Sequence, residues 1–179
     1  MRCFIAVDLD STLKEKILDL QAGLKGLDTK LIEPENLHFT LKFLGEVDVN
    51  TLNEVKDRLN ALLKERGSFN IDLEKLGAFP NEHFIRVVWI GVEKLMPLQK
   101  DVNDSLNGVF PVEKPIPHLT LARVRSQIHR EEIIKFIENN RNVKAGSMKV
   151  NQIKIKKSTI TTKGPVYEDL EVFSLKPSI

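Results

Sequence analysis

The constraint that dominates this chain is an internal duplication. Sliding the sequence by 80 residues places Phe4 on Phe84, Ile5 on Ile85, Val7 on Val87, His38 on His118, Thr40 on Thr120 and Leu41 on Leu121. That period is longer than the roughly 20–50 residues of a solenoid unit. It implies two similar lobes packed side by side about a pseudo-two-fold axis, with pseudo-repeats about 1–80 and 81–179 in a single domain. A length of 179 residues agrees, since one domain typically holds about 100–200. Residues matched by the duplication are then candidates to meet at the seam.

Each repeat alternates strand-like and helix-like runs. Thr12 with Glu15 has the form of a capping box, and Leu13, Ile17, Leu20 and Leu24 follow at helical spacing, so a helix over about 12–25 is expected. Thr51 and Glu54 repeat the signature ahead of Leu52, Val55, Leu59, Leu62 and Leu63, with Gly67 placed to stop the helix. Leu95, Leu98, Val102 and Leu106 before Gly108 predict a third helix. Ile133, Ile134 and Ile137 before Asn139-Asn140 predict a shorter fourth. Between them, 2–9, 38–47, 69–77, 84–92, 118–124, 149–157 and 168–175 are rich in β-branched and aromatic residues and read as strands.

His38-Phe39-Thr40-Leu41 and His118-Leu119-Thr120-Leu121 both fall in expected strands. Side chains alternate along a strand, so each His shares a face with its Thr while the apolar residues anchor the other face. With Thr at eight of 179 positions, two of four His would have Thr two places on by accident only about 1% of the time. His83 and His129 lack the pattern and read as surface residues. The unperturbed histidine pKa, about 6.5, lets one copy be neutral and the other protonated near neutral pH, which makes a general base and a general acid. Threonine hydroxyls beside them can donate to anionic oxygens. In-line displacement at a phosphodiester needs that layout, a base on the nucleophile's side and an acid on the leaving group's side. Lys42 shares the strict-alternation face of His38 and Thr40 and is a candidate phosphate or RNA contact.

Other chemistries lack their residues. One cysteine, Cys3, excludes a disulfide framework and a Cys-rich zinc site, and it favours a reducing compartment such as the cytoplasm. Neither His has a further ligand-type side chain two or four places on, so no metal site is expected. There is no phosphate-loop motif and no nucleophile elbow. The apolar runs are too short for a membrane span of about 20 residues, and the N-terminus reads as a first strand, not a signal peptide. A net charge of +2 does not announce nucleic acid. Between Glu138 and Glu168, however, there are basic residues and no acidic ones. That stretch is either a solvated strand face with protective edge lysines or a phosphate-facing surface.

The two motifs resemble those of the 2H phosphoesterases, named for paired His-x-Thr-x sequences, and specifically the RNA 2′,3′-cyclic phosphodiesterases long called 2′-5′ RNA ligases. The likeness takes in Arg2 to Leu9, Glu35 to Val47, Pro117 to Val124 and Gly164 to Tyr167. It implies a bilobal α+β fold in which two antiparallel sheets, helices outside, face a central cleft holding both motifs. Family members open a terminal 2′,3′-cyclic phosphate on RNA to leave a 2′-phosphate, with no metal or nucleotide cofactor, and some also join tRNA halves through a 2′-5′ bond. The resemblance makes His38 the proton donor and His118 the proton acceptor, gives Thr40 and Thr120 the non-bridging oxygens, and adds Arg123 as a charged phosphate contact. Strict alternation turns Arg123 away from the cleft, so its role requires a bulge or a strand end that re-aims it. A monomer acting on RNA with 2′,3′-cyclic phosphate ends is expected. Two alternatives are the same chemistry on a small nucleotide such as ADP-ribose cyclic phosphate, and a non-catalytic RNA-binding module. The module would need base-stacking aromatics on an open sheet, and the chain has one Trp, one Tyr and nine Phe, most in apolar runs.

Overall fold

Four amphipathic helices pack on one face of a long antiparallel sheet, and the opposite face is left to carry polar side chains. The computed structural model describes residues 1–178. In chain order it contains β1 (Arg2–Asp8), α1 (Ser11–Ala22), β2 (Thr29–Leu31), β3 (His38–Glu46), α2 (Val49–Leu63), β4 (Phe69–Asn81), β5 (Phe84–Gly91), α3 (Met96–Ser105), β6 (His118–Val124), α4 (Arg130–Asn139), β7 (Lys144–Val150), β8 (Gln152–Thr161) and β9 (Gly164–Ser174). The class is α+β, as expected.

The helices bury the stripes that their spacing marks: Leu13 and Ile17 in α1, Leu52, Val55, Leu59 and Leu63 in α2, Leu98 and Val102 in α3, Ile133 and Ile137 in α4. Their starts differ from the capping-box reading. Asp10 and Asp48 are the caps, and Thr12 and Thr51 donate their backbone N–H groups to the aspartate Oδ1 atoms at 2.8 and 2.7 Å. A carboxylate there satisfies an orphan donor and also meets the positive end of the helix dipole.

The strands run in the order β7-β4-β5-β6-β3-β1-β8-β9, with β2 added to β6. The two halves of the sheet meet where β3 lies against β6, through the pair Phe39 and Leu119. The repeats are interleaved. By the 80-residue offset β4 corresponds to β8, yet β4 sits between β7 and β5 while β8 sits between β1 and β9. The helices follow suit: α1 and α4 pack on the half with β4 to β7, and α2 and α3 pack on the half with β3 and β9. The expected strand 149–157 is two strands for this reason. The chain leaves β7 at Val150, passes Asn151 and enters β8 in the other half.

Cys3 is buried and unbridged. Among the described residues, no helix is long and apolar enough to cross a membrane.

Candidate active site

The antiparallel register at the seam sets the layout. With Phe39 opposite Leu119, a step of one residue either way brings His38 toward Thr120 and Thr40 toward His118. All four line one cleft of about 120 Å³ together with Arg123, Lys30, Asn36, Phe43 and Tyr167. Phe39, Leu41, Leu119 and Leu121 are buried on the other side of their strands, so the alternation read from the sequence is what aims the polar groups.

That alternation breaks at matching positions in the two repeats, and in β3 a second time at Leu44. Ala6 faces Thr40 and Ile5 faces Lys42, leaving Leu41 as the extra residue; Trp89 faces Thr120 and Val88 faces Ala122, leaving Leu121. A bulge of this kind flips the facing of every residue beyond it. Arg123 therefore turns into the cleft, where the expected phosphate contact would need it. Lys42 turns the other way. Expected on the cleft face, it is instead only 2% exposed. Its Nζ donates to Asn103 Oδ1 and the Pro111 carbonyl, both at 2.8 Å, and lies 3.5 Å from Glu113 Oε2. Phe43, the residue that matches Arg123 in the first repeat, takes the place in the cleft that Lys42 was expected to hold.

Both bulges are held by buried side-chain amides. Gln21 of α1, only 1% exposed, donates from Nε2 to the carbonyls of Leu121 and Ile32 at 2.8 and 3.0 Å. Asn103 of α3 donates to the Leu41 carbonyl at 3.4 Å, and Gln99 donates to that of Thr40 at 3.3 Å. Sequence reasoning missed these residues because a Gln or Asn on a helix carries no mark of which strand carbonyl it will meet.

The two imidazoles are fixed in the same tautomer. His38 Nδ1 lies 2.7 Å from the Asn36 carbonyl oxygen and His118 Nδ1 lies 2.7 Å from that of Ile116. A carbonyl can only accept, so each Nδ1 carries the hydrogen and each neutral ring has a bare Nε2. Thr40 Oγ1, 3.0 Å away, donates to His38 Nε2. Burial pushes the His38 pKa down to about 4, with Lys156 and His118 acting in the same direction and the Asn36 carbonyl and Asp8 opposing. Burial also lowers His118, against its bond to the Ile116 carbonyl. Both rings are thus neutral at neutral pH.

This pair of imidazoles, two hydroxyls and a guanidinium around a small cleft is a set for phosphate chemistry, and the chain as a whole matches proteins of that kind. A family model described as LigT like Phosphoesterase matches residues 7–89 and 91–167. The chain belongs to the LigT-like phosphoesterase family. An RNA 2′,3′-cyclic phosphodiesterase of Methanothermobacter thermautotrophicus is 40% identical to it over 182 residues, which cover 98% of this chain and 99% of that one. One from Methanocaldococcus jannaschii is 39% identical over 172 residues, covering 94% and 97%. Among solved structures, TT0787 of Thermus thermophilus superposes with a TM-score of 0.84 at 28% identity, each chain covered to 100%.

The walls of the phosphoesterase cleft include residues that the motifs did not announce. Tyr167, near the tip of the β8–β9 hairpin, meets His38 edge-on at 5.3 Å and Phe4 at 4.9 Å. Asn36 ties that hairpin down by donating from Nδ2 to the Pro165 carbonyl at 3.1 Å, while its own carbonyl holds His38. Around His118 stand Phe79 at 4.8 Å and Trp89 at 6.3 Å. Within the basic C-terminal stretch, Lys154 and Lys156 each pair with both Asp8 and Asp169. Among the described residues, no three His, Cys, Asp or Glu side chains gather as a metal ion would require.

Proposed function

We propose that this phosphoesterase is an RNA 2′,3′-cyclic phosphodiesterase that opens a terminal cyclic phosphate to a 2′-phosphate without a metal ion, with His38 as the proton donor and His118 as the proton acceptor. The observation that carries this reading is the matched tautomer of the two rings, which gives two bare Nε2 atoms bordering one cleft with Thr40, Thr120 and Arg123. The names of the relatives support RNA as the substrate.

A cyclic phosphodiester brings one negative charge into the cleft, and an anion beside a half-buried imidazole favours its protonated form. His38 then takes up a proton at Nε2 and can no longer accept from Thr40, whose hydroxyl is freed to donate to a phosphate oxygen. Thr120 donates from the other repeat, and Arg123 offers charge-assisted hydrogen bonds to the non-bridging oxygens on which negative charge grows. His118 Nε2 removes a proton from water as its oxygen attacks phosphorus. The bond from phosphorus to O3′ breaks opposite, His38 protonates O3′, and the phosphate stays on the 2′-oxygen. An RNA 5′-hydroxyl in place of water would give a 2′-5′ diester with the same acid and base.

The test is incubation with a short RNA ending in a 2′,3′-cyclic phosphate in excess EDTA, read by phosphorus NMR. A 2′-phosphate product is expected, reduced roughly 10²–10⁴-fold in His38→Ala and in His118→Ala. A 3′-phosphate product, or turnover that EDTA abolishes, would falsify the assignment.

A further inference from the structure

A lysine in the interior needs a reason, because the side chain is almost never buried unless its charge is paired. Lys42 lies two residues after Thr40 on β3 and is all but fully buried. Its Nζ donates at 2.8 Å both to Asn103 Oδ1 and to the Pro111 carbonyl, with the Glu113 carboxylate 3.5 Å away. Asn103 belongs to α3, but Pro111 and Glu113 belong to the connection that runs from α3 into β6. Pro111 to Lys114 are exposed, and no backbone N–H from 112 to 116 donates to a carbonyl among the described residues. The far end of this stretch is the Ile116 carbonyl, which holds His118 Nδ1 at 2.7 Å.

The first repeat secures its histidine differently. Asn36, the residue that matches Ile116, sits in a 3-10 turn at Pro34–Asn36, with its N–H donating to the Glu33 carbonyl at 2.9 Å and its side chain to that of Pro165. Ile116 has an exposed apolar side chain and no such turn. Prolines stand there instead. Pro111, Pro115 and Pro117 fix their own φ and keep the residue before each one extended, so a tie at Pro111 is carried along the chain to Ile116.

We propose that Lys42 is a positioning residue for His118: by pinning Pro111 and Glu113 from the interior it fixes where the Ile116 carbonyl stands, and with it the tautomer and aim of the imidazole. The proposal rests on the reading of His118 as the proton acceptor. Lys42 itself meets no substrate, since it points away from the cleft. It also links the two motifs. It follows His38 and Thr40 on one strand, and Asn103, which receives its proton, donates to the Leu41 carbonyl at that strand's bulge. A base whose Nε2 must face the attacking water tolerates little error, because a misplacement of about 1 Å caused from outside the site can cost roughly 10²-fold in rate.

The experiment pairs two variants with two readouts. Lys42→Met keeps the length of the side chain and removes its charge and donors. Pro115→Gly leaves Lys42 and the core intact and loosens only the stretch between the tie and the Ile116 carbonyl. Imidazole ¹⁵N shifts at neutral pH read the tautomer of each ring, and steady-state kinetics on a cyclic-ended dinucleotide read kcat and KM. The wild-type protein should carry the hydrogen on Nδ1 in both rings. In both variants His118 should become a mixture of tautomers while His38 is unchanged, and kcat should fall by up to roughly 10²-fold with KM little altered. Val55→Ala, a core truncation in α2, controls for lost stability and should leave both tautomers as they are. A His118 ring that stays wholly in the Nδ1–H form in both variants overturns the proposal. So does a Lys42→Met loss confined to KM, which would return Lys42 to contact with phosphate. Should Lys42→Met fail to fold, Pro115→Gly decides. If the wild-type protein consumes no cyclic-ended RNA, the reading of His118 as the base fails first, and the nitrogen shifts still decide whether Lys42 fixes its ring.

Discussion

Two histidines of one motif end in unequal surroundings. His38 is sunk between Phe4 and Tyr167 at 4.9 and 5.3 Å and held down to about 4, while His118 is lowered by burial and held only through Nδ1. Catalysis needs one ring protonated and the other neutral, so kcat/KM, which reports the free enzyme, is expected to be bell-shaped and displaced to acid. Below about 4 both rings are protonated and no base is left, and above the lowered value of His118 both are neutral and no acid is left; between these limits the pair shares one proton, and the form that carries it on His38 is the active one. The profile of kcat should lie higher, because bound phosphate favours the imidazolium. Rates measured at limiting and at saturating substrate across the acid and neutral range check this, and an alkaline limb of kcat/KM above the ordinary histidine value of about 6.5 would sink it. Arg123→Ala should cost roughly 10²–10³ in kcat as a lost donor to transition-state charge, and Arg123→Lys should recover only part, since an ammonium cannot bind two oxygens in a fork. Steady-state kinetics on a cyclic mononucleotide suffice, and a loss confined to KM would remove Arg123 from the transition state. The His and Thr positions were legible because period two is local. Arg123 and Lys42 exchanged fates because one inserted residue ahead of each, Leu121 or Leu41, reverses the period, and nothing in those leucines betrays it.

At the scale of elements, the helices aim the site through their polar side chains as well as covering the sheet. Gln21 in α1 closes the carbonyls around the β6 bulge, and Asn103 in α3 does so at β3 while also receiving Lys42. Gln21→Leu keeps the volume but strands the Ile32 carbonyl. It should cost roughly 1–3 kcal/mol of stability and lower kcat/KM by loosening Arg123. Urea denaturation and kinetics on the same preparation test it; normal kinetics at reduced stability would mean that the bulge holds itself. Helix existence was legible from apolar spacing, whereas helix starts were misread by a few residues because Asp10 and Asp48 outcompete the threonines as caps. The short β2 was not legible at all. Three residues carry no period, and only their pairing with β6 defines them.

For the whole molecule, duplication was plain in the sequence and interleaving was not, because an 80-residue offset tells which segments match and nothing about which neighbour each one chooses. The consequence is energetic. Ile71, Leu73 and Leu76 of β4 are buried in the half built mainly from the second repeat, while Ile153 and Ile155 of β8 are buried beside β1. Neither pseudo-repeat can therefore bury its own apolar strands, and an exposed strand of that kind is a template for aggregation. Fragments 1–80 and 81–179, produced separately, should each lack a cooperative unfolding transition, while a mixture refolded together from denaturant should regain the cleft, since every seam residue is then present. Circular dichroism melts of each fragment and turnover by the refolded mixture are the measurements. A sharp melt from either fragment alone would mean that the lobes are autonomous and that the exchange of β4 and β8 is dispensable. Cooperative folding only in the mixture would mean that the pairing of His38 with His118 is guaranteed by the fold, because no state with one repeat intact and the other open retains a core.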